Sequence, residues 1–519
     1  MSRRLPRTLT SFDRRHLAPG AAAFVVALLV ALIGLRAGAE EPVAGGAPPA
    51  REGTAQLRLL GVNDFHGHLE PPESGRGGGA WLAAALDGAE LPGRTIRVHA
   101  GDMVGASPLV SAYFHDEPSI EVANDMGFDV GTVGNHEFDE GGDELLRLLA
   151  GGRRSGPEAL KPGPGGQPVN TSSPGFAGAA FPYLAANTID RDGRPLLPPY
   201  RVVERDGVRV GFIGVTTPST PRFLLPRFSR RFRFLDISDT VDRYAAELTR
   251  QGVRTIVVLA HEGAPSQGED EPADAEGPIV TEAREMTDEV DVIVAGHSHS
   301  TLDLRLPNRS GPGDKLVVEA SSYGVAYGVV DLTVDRSTGE VVAKRAETRP
   351  VRHDDDAGDE EVRRRVAAYA ERLAPVGDRV VRPSGPALTR GGGELLAVAA
   401  DAQRALAGAD FALVNAGSLR GDLPAGRVTY ADLARVQAYD FRLIRMEMRG
   451  RAIAALARGG SLAVAGDATG IDPAATYSVV ANELIATGGM FTVLRDEGRD
   501  RQAVGTEIQA LDEYLSGSS

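Results

Sequence analysis

Val130-Gly131-Thr132-Val133-Gly134-Asn135-His136-Glu137-Phe138-Asp139 begins as a run of small and β-branched residues and ends in a cluster of polar, metal-competent side chains. The first half reads as the end of a buried strand, because β-branched residues suit a covered, pleated surface. The second half then falls just past that strand's carboxyl end, where open α/β sheets place their sites. The same arrangement recurs upstream and downstream. Asp64 and His66 follow Leu57–Val62, Asp102 follows Ile96–Ala100, His261 follows Thr255–Ala260, and His297 and His299 follow Val292–Ala295. Five strand ends can therefore converge on one crevice.

Around these runs the pattern is that of an α/β chain. Leu57–Val62, Thr95–His99, Val208–Val215, Arg254–Ala260 and Val290–Ala295 read as buried strands, and Trp81–Leu86 and Thr240–Thr249 as helices. Gly151–Gly178, rich in Gly, Pro and Ser, and the acidic Ala264–Pro278 read as surface insertions. The expected domain organisation is a first domain over 55–350, a connecting helix within 351–375 (Val362–Leu373 has helical spacing), and a second α/β domain over 376–519. In the second, Glu394–Leu406 reads as a helix and Phe411–Val414, Leu443–Met448 and Tyr477–Ala481 as strands.

Composition narrows the chemistry. A length of 519 residues with 42% hydrophobic content supports about two large domains. The net charge of -15, with no basic stripe outside the N-terminus, argues against a nucleic-acid partner and leaves small phosphate esters open. There is no cysteine, which excludes disulfides, thiolate catalysis and Cys-ligated zinc. Arg3, Arg4, Arg7, Arg14 and Arg15 precede an apolar run from Ala21 to Leu35 and a small-x-small site at Ala37-Gly38-Ala39. That order reads as a signal peptide over 1–39, followed by a flexible lead-in over 40–54, and predicts a secreted or cell-envelope protein with no stable membrane span once cleaved. The alternative is an uncleaved anchor, since the run is only a little short of a bilayer span.

Half of the ten histidines fall in the strand-end motifs. A lone histidine is usually an ordinary surface or core residue, and His16, His68, His99, His115 and His353 read so. Five in strand-end motifs point instead to a metal or catalytic cluster. Imidazole and carboxylate without thiolate suit zinc, manganese, cobalt or iron. Asp139, three residues beyond His136, can orient that imidazole and favour its protonated form.

Asn63-Asp64-Phe65-His66-Gly67, Gly101-Asp102, Gly134-Asn135-His136-Glu137-Phe138-Asp139, His261-Glu262 and Gly296-His297-Ser298-His299 together resemble the metallophosphoesterase motifs of the 5′-nucleotidase / UDP-sugar hydrolase family. The resemblance implies a four-layer αββα domain holding two divalent metal ions. Asp64, His66 and His299 would bind one ion, Asn135, His261 and His297 the other, and Asp102 would bridge them. His136 and Asp139 would be the catalytic pair facing the leaving group.

The second domain resembles the family's C-terminal substrate-binding domain. Asn415-Ala416-Gly417-Ser418-Leu419-Arg420, with Val428-Thr429-Tyr430-Ala431-Asp432-Leu433 after it, implies substrate contacts at Asn415, Gly417 and Arg420. Tyr439 falls where the family often stacks a Phe on the nucleobase, and Arg390 would match a further substrate arginine. Leu484 stands where a second stacking Phe is common, and Met490 replaces the family's Asp, which implies broadened or altered base selectivity. The expected function is a secreted phosphohydrolase acting on nucleotides. The alternatives are the same chemistry on cyclic nucleotides, nucleotide sugars or non-nucleotide phosphoesters, and, in another class, a silent binding protein, against which the intact ligand set argues.

Overall fold

The computed structural model describes residues 53–71, 75–265, 276–353, 358–459, 462–467, 470–488 and 491–517. The expected signal peptide, nearly all of the lead-in, most of the acidic stretch 264–278 and Met490 lie outside the described residues. All described residues belong to one compact unit, Ala50–Ser519. No helix among them is long and apolar enough to cross a membrane.

The principal strands of the N-terminal part are β1 (Thr54–Val62), β2 (Thr95–His99), β3 (Val130–Thr132), β4 (Tyr183–Leu184), β5 (Tyr200–Arg205), β6 (Val208–Thr216), β7 (Thr255–His261), β8 (Val292–Ala295), β9 (Thr301–Pro307), β10 (Asp314–Ala320), β11 (Ala326–Asp335) and β12 (Val341–Pro350). They form two six-stranded sheets, ordered β12-β11-β1-β2-β3-β4 and β9-β10-β8-β7-β6-β5. The centre of each is parallel: β1 with β2 and β2 with β3 in one, β6 with β7 and β7 with β8 in the other. Antiparallel strands close the edges at β12, β9 and β5.

Side-chain alternation explains why both sheets are buried on two faces. Leu57 and Leu59 meet Val257, Leu259, Val292 and Val294 in a core between the sheets. Leu60 and Val62 point the other way, onto helix Gly79–Ala89 through Leu82 and Leu86, while Ile256 and Val258 face helix Ile237–Arg250 through Val241 and Leu248. The result is four layers, helix–sheet–sheet–helix, so every residue of β2 and β7 is buried.

Beyond β12, helix Glu360–Gly377 starts at an N-cap made by Asp359, whose side chain accepts from Val362 N. It lies against the first sheet's helices and is pinned there by Arg365 on Asp125 and Tyr369 Oη on Glu121 (3.0 Å). Its apolar side, Val366, Tyr369 and Leu373, joins one continuous core with Leu395, Val414 and Leu433 of the C-terminal part. There β13 (Phe411–Val414), β14 (Arg442–Arg449), β15 (Ala463–Ala465), β16 (Thr476–Asn482) and β17 (Arg499–Thr506) form a sheet ordered β15-β13-β16-β14-β17. Phe411 and Leu413 face one apolar cluster and Ala412 and Val414 the other, so this sheet too is covered on both faces.

The Gly151–Gly178 stretch is pinned down at several points rather than lying loosely on the surface. Buried Glu117 accepts from Ser172 Oγ (2.5 Å) and Ser173 N (2.7 Å), and Tyr113 Oη donates to Pro162 O (2.8 Å). Lys161 and the turn after it become part of a cavity wall.

Candidate active site

The loops that leave β1, β2 and β8 share an unusual backbone. Asp64 (φ 50°), His66 (φ 48°), Asp102 (φ 50°), His297 (φ 74°) and His299 (φ 57°) all occupy the left-handed region. Each such residue costs on the order of 1 kcal/mol or more and persists only where its surroundings over-determine it. The surroundings do so here. Asp64 N donates to Gly101 O (3.1 Å) and His66 N to Asp102 O (2.9 Å), stitching the first two loops together. Asn63 donates to Ser321 O (2.6 Å) and to Asp64 Oδ2 (2.8 Å) and accepts from Ala320 N (2.9 Å), fixing the Asp64 carboxylate against the end of β10. Glu137, fully inside, accepts from Asp102 N (3.0 Å), Met103 N (2.8 Å) and Gly134 N (2.6 Å), tying the β2 and β3 loops.

Into this frame project the residues the sequence singled out. His66 Nδ1 faces Gly105 O (2.8 Å) and His261 Nδ1 faces Ala100 O (2.8 Å). A carbonyl only accepts, so both Nδ1 atoms carry a proton and both Nε2 atoms are turned inward, the positions a ligand would take. His66 Nε2 lies 3.3 Å from His299 Nε2, which is 3.4 Å from Asp64 Oδ1. His261 Nε2 lies 3.0 Å from both Asn135 Oδ1 and Asp102 Oδ2. Asp102 Oδ2 is 3.6 Å from His66 Nε2 as well, so this carboxylate stands between the two groups. Three overlapping groups result among the described residues, Asp64–His66–His299, His66–Asp102–His136 and Asp102–His261–His297, with the ligand atoms of each within 4.8 Å of one another.

The cluster keeps its buried carboxylates charged. Despite complete burial, Asp64 is held down at about 2 by its histidine neighbours, chiefly His299, and Asp102 well below the usual range by His261 and His136. His261, which burial alone would neutralise, is held at about 10 by Asp102. Asp102 Oδ2 is entirely buried, and its polar neighbours are ring nitrogens, His261 Nε2 at 3.0 Å and His66 Nε2 at 3.6 Å. A buried carboxylate oxygen with only ring nitrogens for company is what a metal-bridging position offers, and the oxygen and imidazole donors fit zinc, manganese, cobalt or iron.

His136 stands at the edge of this cluster. Its backbone N–H donates to Asp102 Oδ1 (2.9 Å) and its Nδ1 is 2.7 Å from Asp139 Oδ2, which leaves Nε2 for a ligand. Burial pushes the imidazole down, but Asp139 and Asp102 outweigh it and hold the pKa at about 9. The ring is 5.0 Å from that of His66 and, on its other side, 5.8 Å from that of Tyr439, near-parallel at 19°. Tyr439 in turn stacks on Phe441 at 5.2 Å and 10°. His136, Asp139, Tyr439 and Phe441 line a cavity of about 890 Å³ between the N- and C-terminal sheets, walled further out by Lys161, Arg154 and Arg442.

Arg420 joins the same place, its guanidinium 5.9 Å from the Tyr439 ring and its Nη2 3.3 Å from Tyr323 Oη. Asn415 is buried at the start of the Ala416–Ser418 turn that contains Gly417, close to Asn482. Arg390 is exposed; its backbone N–H donates to Asp422 Oδ1 (2.9 Å) and its carbonyl accepts from Gly393 N (3.4 Å). Leu484 lies buried on the short helix Glu483–Ala486.

Four neighbours of the cluster were not singled out by sequence reading. Asn63 and Glu137 sit inside the quoted motifs and could have been found there. Tyr323, at φ 58° with its ring 4.1 Å from His68 and 5.2 Å from His299, and Phe441 come from loops whose patterns carry no such signal. His68, read as an ordinary histidine, is thereby at the edge of the site.

Comparison with known proteins agrees with this geometry. Residues 375–461 match the family described as "5′-nucleotidase, C-terminal domain". A solved 5′-nucleotidase precursor from Thermus thermophilus superposes with a TM-score of 0.71 at 26% identity, covering 89% of this chain and 97% of that one. The C-terminal part of the chain is thus of the 5′-nucleotidase C-terminal type, and the chain as a whole resembles the 5′-nucleotidase metallophosphoesterases. Its curated relatives include Endonuclease YhcR of Bacillus subtilis, 32% identical over 88% of this chain and 39% of that protein. Another is Cell wall protein Lmo0130 of Listeria monocytogenes, 33% identical over 82% of this chain and 58% of that protein. The chain thus spans well under two thirds of the length of both.

Proposed function

We propose that the chain hydrolyses phosphate esters with a pair of divalent ions held at the strand ends, and that nucleotides are its substrates. The observation that carries the first part is the fully buried Asp102 carboxylate, whose Oδ2 stands 3.0 Å from His261 Nε2 and 3.6 Å from His66 Nε2, between the two groups. In this reading Asp64, His66 and His299 hold one ion, Asn135, His261 and His297 the other, and Asp102 bridges. Bound there, the ions supply Lewis-acid stabilisation of the phosphoryl group and activation of water. The chain's own residues do the rest. Asp139 fixes the Nδ1–H tautomer of His136, and the charged imidazole presents Nε2–H to the leaving oxygen as a general acid. Arg420 supplies a planar cation to the substrate from the other side of the cavity. The carboxyl-terminal family match, the aromatic pair Tyr439–Phe441 and the two-sided cavity support a nucleoside as leaving group. The net charge of -15 favours a small ester over a polynucleotide. The N-terminal sequence, the precursor form of the Thermus thermophilus 5′-nucleotidase and the cell-wall protein of Listeria monocytogenes support secretion.

The nucleotide part is tested by Tyr439→Ala. Base stacking contributes about 1–3 kcal/mol, so KM for nucleoside monophosphates should rise roughly tenfold or more. A contact made equally in ground and transition state leaves kcat alone, and a small aryl phosphate should be hydrolysed as before. An unchanged nucleotide KM would contradict the nucleotide reading. Leu484, in place of a second aromatic, favours as second reading the same chemistry on cyclic nucleotides, nucleotide sugars or other phosphoesters, which substrate ranking on the wild type would reveal.

A further inference from the structure

The loop from β8 to β9 carries His297 and His299 on either side of a single residue, and the two must reach different ligand clusters. Both have left-handed backbones, φ 74° and 57°, so the loop cannot hold this shape on local preference alone. What holds it lies on the neighbouring strand. Glu319, next to last in β10, has no exposed surface. The hydroxyl of Ser298, the residue between the two histidines, lies 2.8 and 2.7 Å from its two carboxylate oxygens and donates to them. Ser300 N also donates to Oε1 at 3.3 Å, so the same carboxylate holds the loop at two points. Ser298 is trapped from its other side, where a Cβ on Gly263 would collide with its Oγ.

A carboxylate at this place is costly. Glu319 sits between Val318 and Ala320, both buried, in a strand whose Val317 belongs to the apolar cluster under helix Ile237–Arg250. An apolar residue there would avoid the desolvation that a buried acid incurs unless it is well hydrogen-bonded. The bonds it makes go to the loop of the two histidines. We infer that Glu319 is a positioning residue for both metal sites, acting through Ser298 to aim His297 at one ion and His299 at the other. This rests on the two-metal reading. Outer partners of metal ligands typically change affinity by about 10–100-fold when removed.

The test is calorimetric binding of manganese to chelated, metal-free protein, with thermal unfolding of the metal-free forms followed in parallel. Glu319→Leu and Ser298→Ala should each weaken binding by about 10–100-fold. Glu319→Gln, which keeps one oxygen for Ser298, should bind more tightly than Glu319→Leu. The Glu319→Leu/Ser298→Ala double variant should be no weaker than the weaker single one, because both remove the same link. Wild-type affinity in Ser298→Ala and Glu319→Leu, or losses that multiply in the double variant, would overturn the inference while leaving the two-metal reading intact. A wild type that takes up no divalent ion would overturn both.

Discussion

His136 is pulled in two directions: enclosure favours the neutral ring, while Asp139 at 2.7 Å and Asp102 favour the charged one, and the carboxylates win. In the reading proposed above, a general acid would thereby be kept loaded at neutral pH. His136→Asn keeps a donor-sized side chain but no transferable proton. Turnover of alkyl phosphates should fall by about a hundred- to ten-thousandfold. With a nitrophenyl phosphate, whose leaving group needs no proton, the loss should be far smaller. Steady-state rates on the two substrates decide it, and equal losses would remove proton donation from the residue's role. Not every residue was equally visible beforehand. The Gly-Asn-His-Glu and Gly-His-Ser-His motifs stand out in the sequence, and the fold gathers their His and Asn side chains beside Asp64 and Asp102. Arg390 had only a weak flanking pattern, and the chain leaves it exposed beyond the cluster. Glu319 and Tyr323 reach the site by long-range contact, which local pattern cannot express.

At the scale of elements, the site depends on how closely two loops approach. Gly134, at the end of the β3 segment, lies under the Asp102 carboxylate. A Cβ there would collide with Asp102 Oδ1 and come within 2.7 Å of His261 Cε1. Gly134→Ala should therefore displace the central carboxylate and reduce phosphate release by on the order of a hundredfold or more, the cost typical of misplaced catalytic geometry. Gly88, exposed near the end of helix Gly79–Ala89, has nothing within 4 Å of its notional Cβ. Gly88→Ala should leave activity unchanged and raise stability by about 0.5–1 kcal/mol, measured by denaturant unfolding. The elements themselves were highly legible. Thr95–His99 and Phe411–Val414 were expected with the ends they have, and the helices over Glu360–Gly377 and Glu394–Ala407 were placed within a few residues. Continuous apolar runs announce strands covered on both faces, and this fold consists largely of such strands. Pairing was not legible: nothing in the sequence of β11 says that it lies antiparallel to β1, closing one sheet. The Gly151–Gly178 stretch reads as a surface insertion from its composition and is largely exposed, while its anchoring on Glu117 and Tyr113 depends on distant partners that local pattern does not express.

For the whole molecule, the arrangement divides labour between two sets of sheets joined by one continuous core. The N-terminal pair of sheets brings five strand ends to one point, and the C-terminal sheet brings Arg420, Tyr439 and Phe441 across the cavity to meet them. In the proposed reading, cations at the meeting point would compensate the buried Asp64 and Asp102. That is the central claim, and elemental analysis of metal content alongside phosphate release from a nucleoside monophosphate tests it most directly. Protein dialysed against zinc or manganese should retain two divalent ions per chain and be active, and chelation should abolish both properties reversibly. Asp102→Asn, prepared in the same way, should lose both ions rather than one, together with its activity. Undiminished phosphate release by a chain that carries no divalent ion would contradict the account.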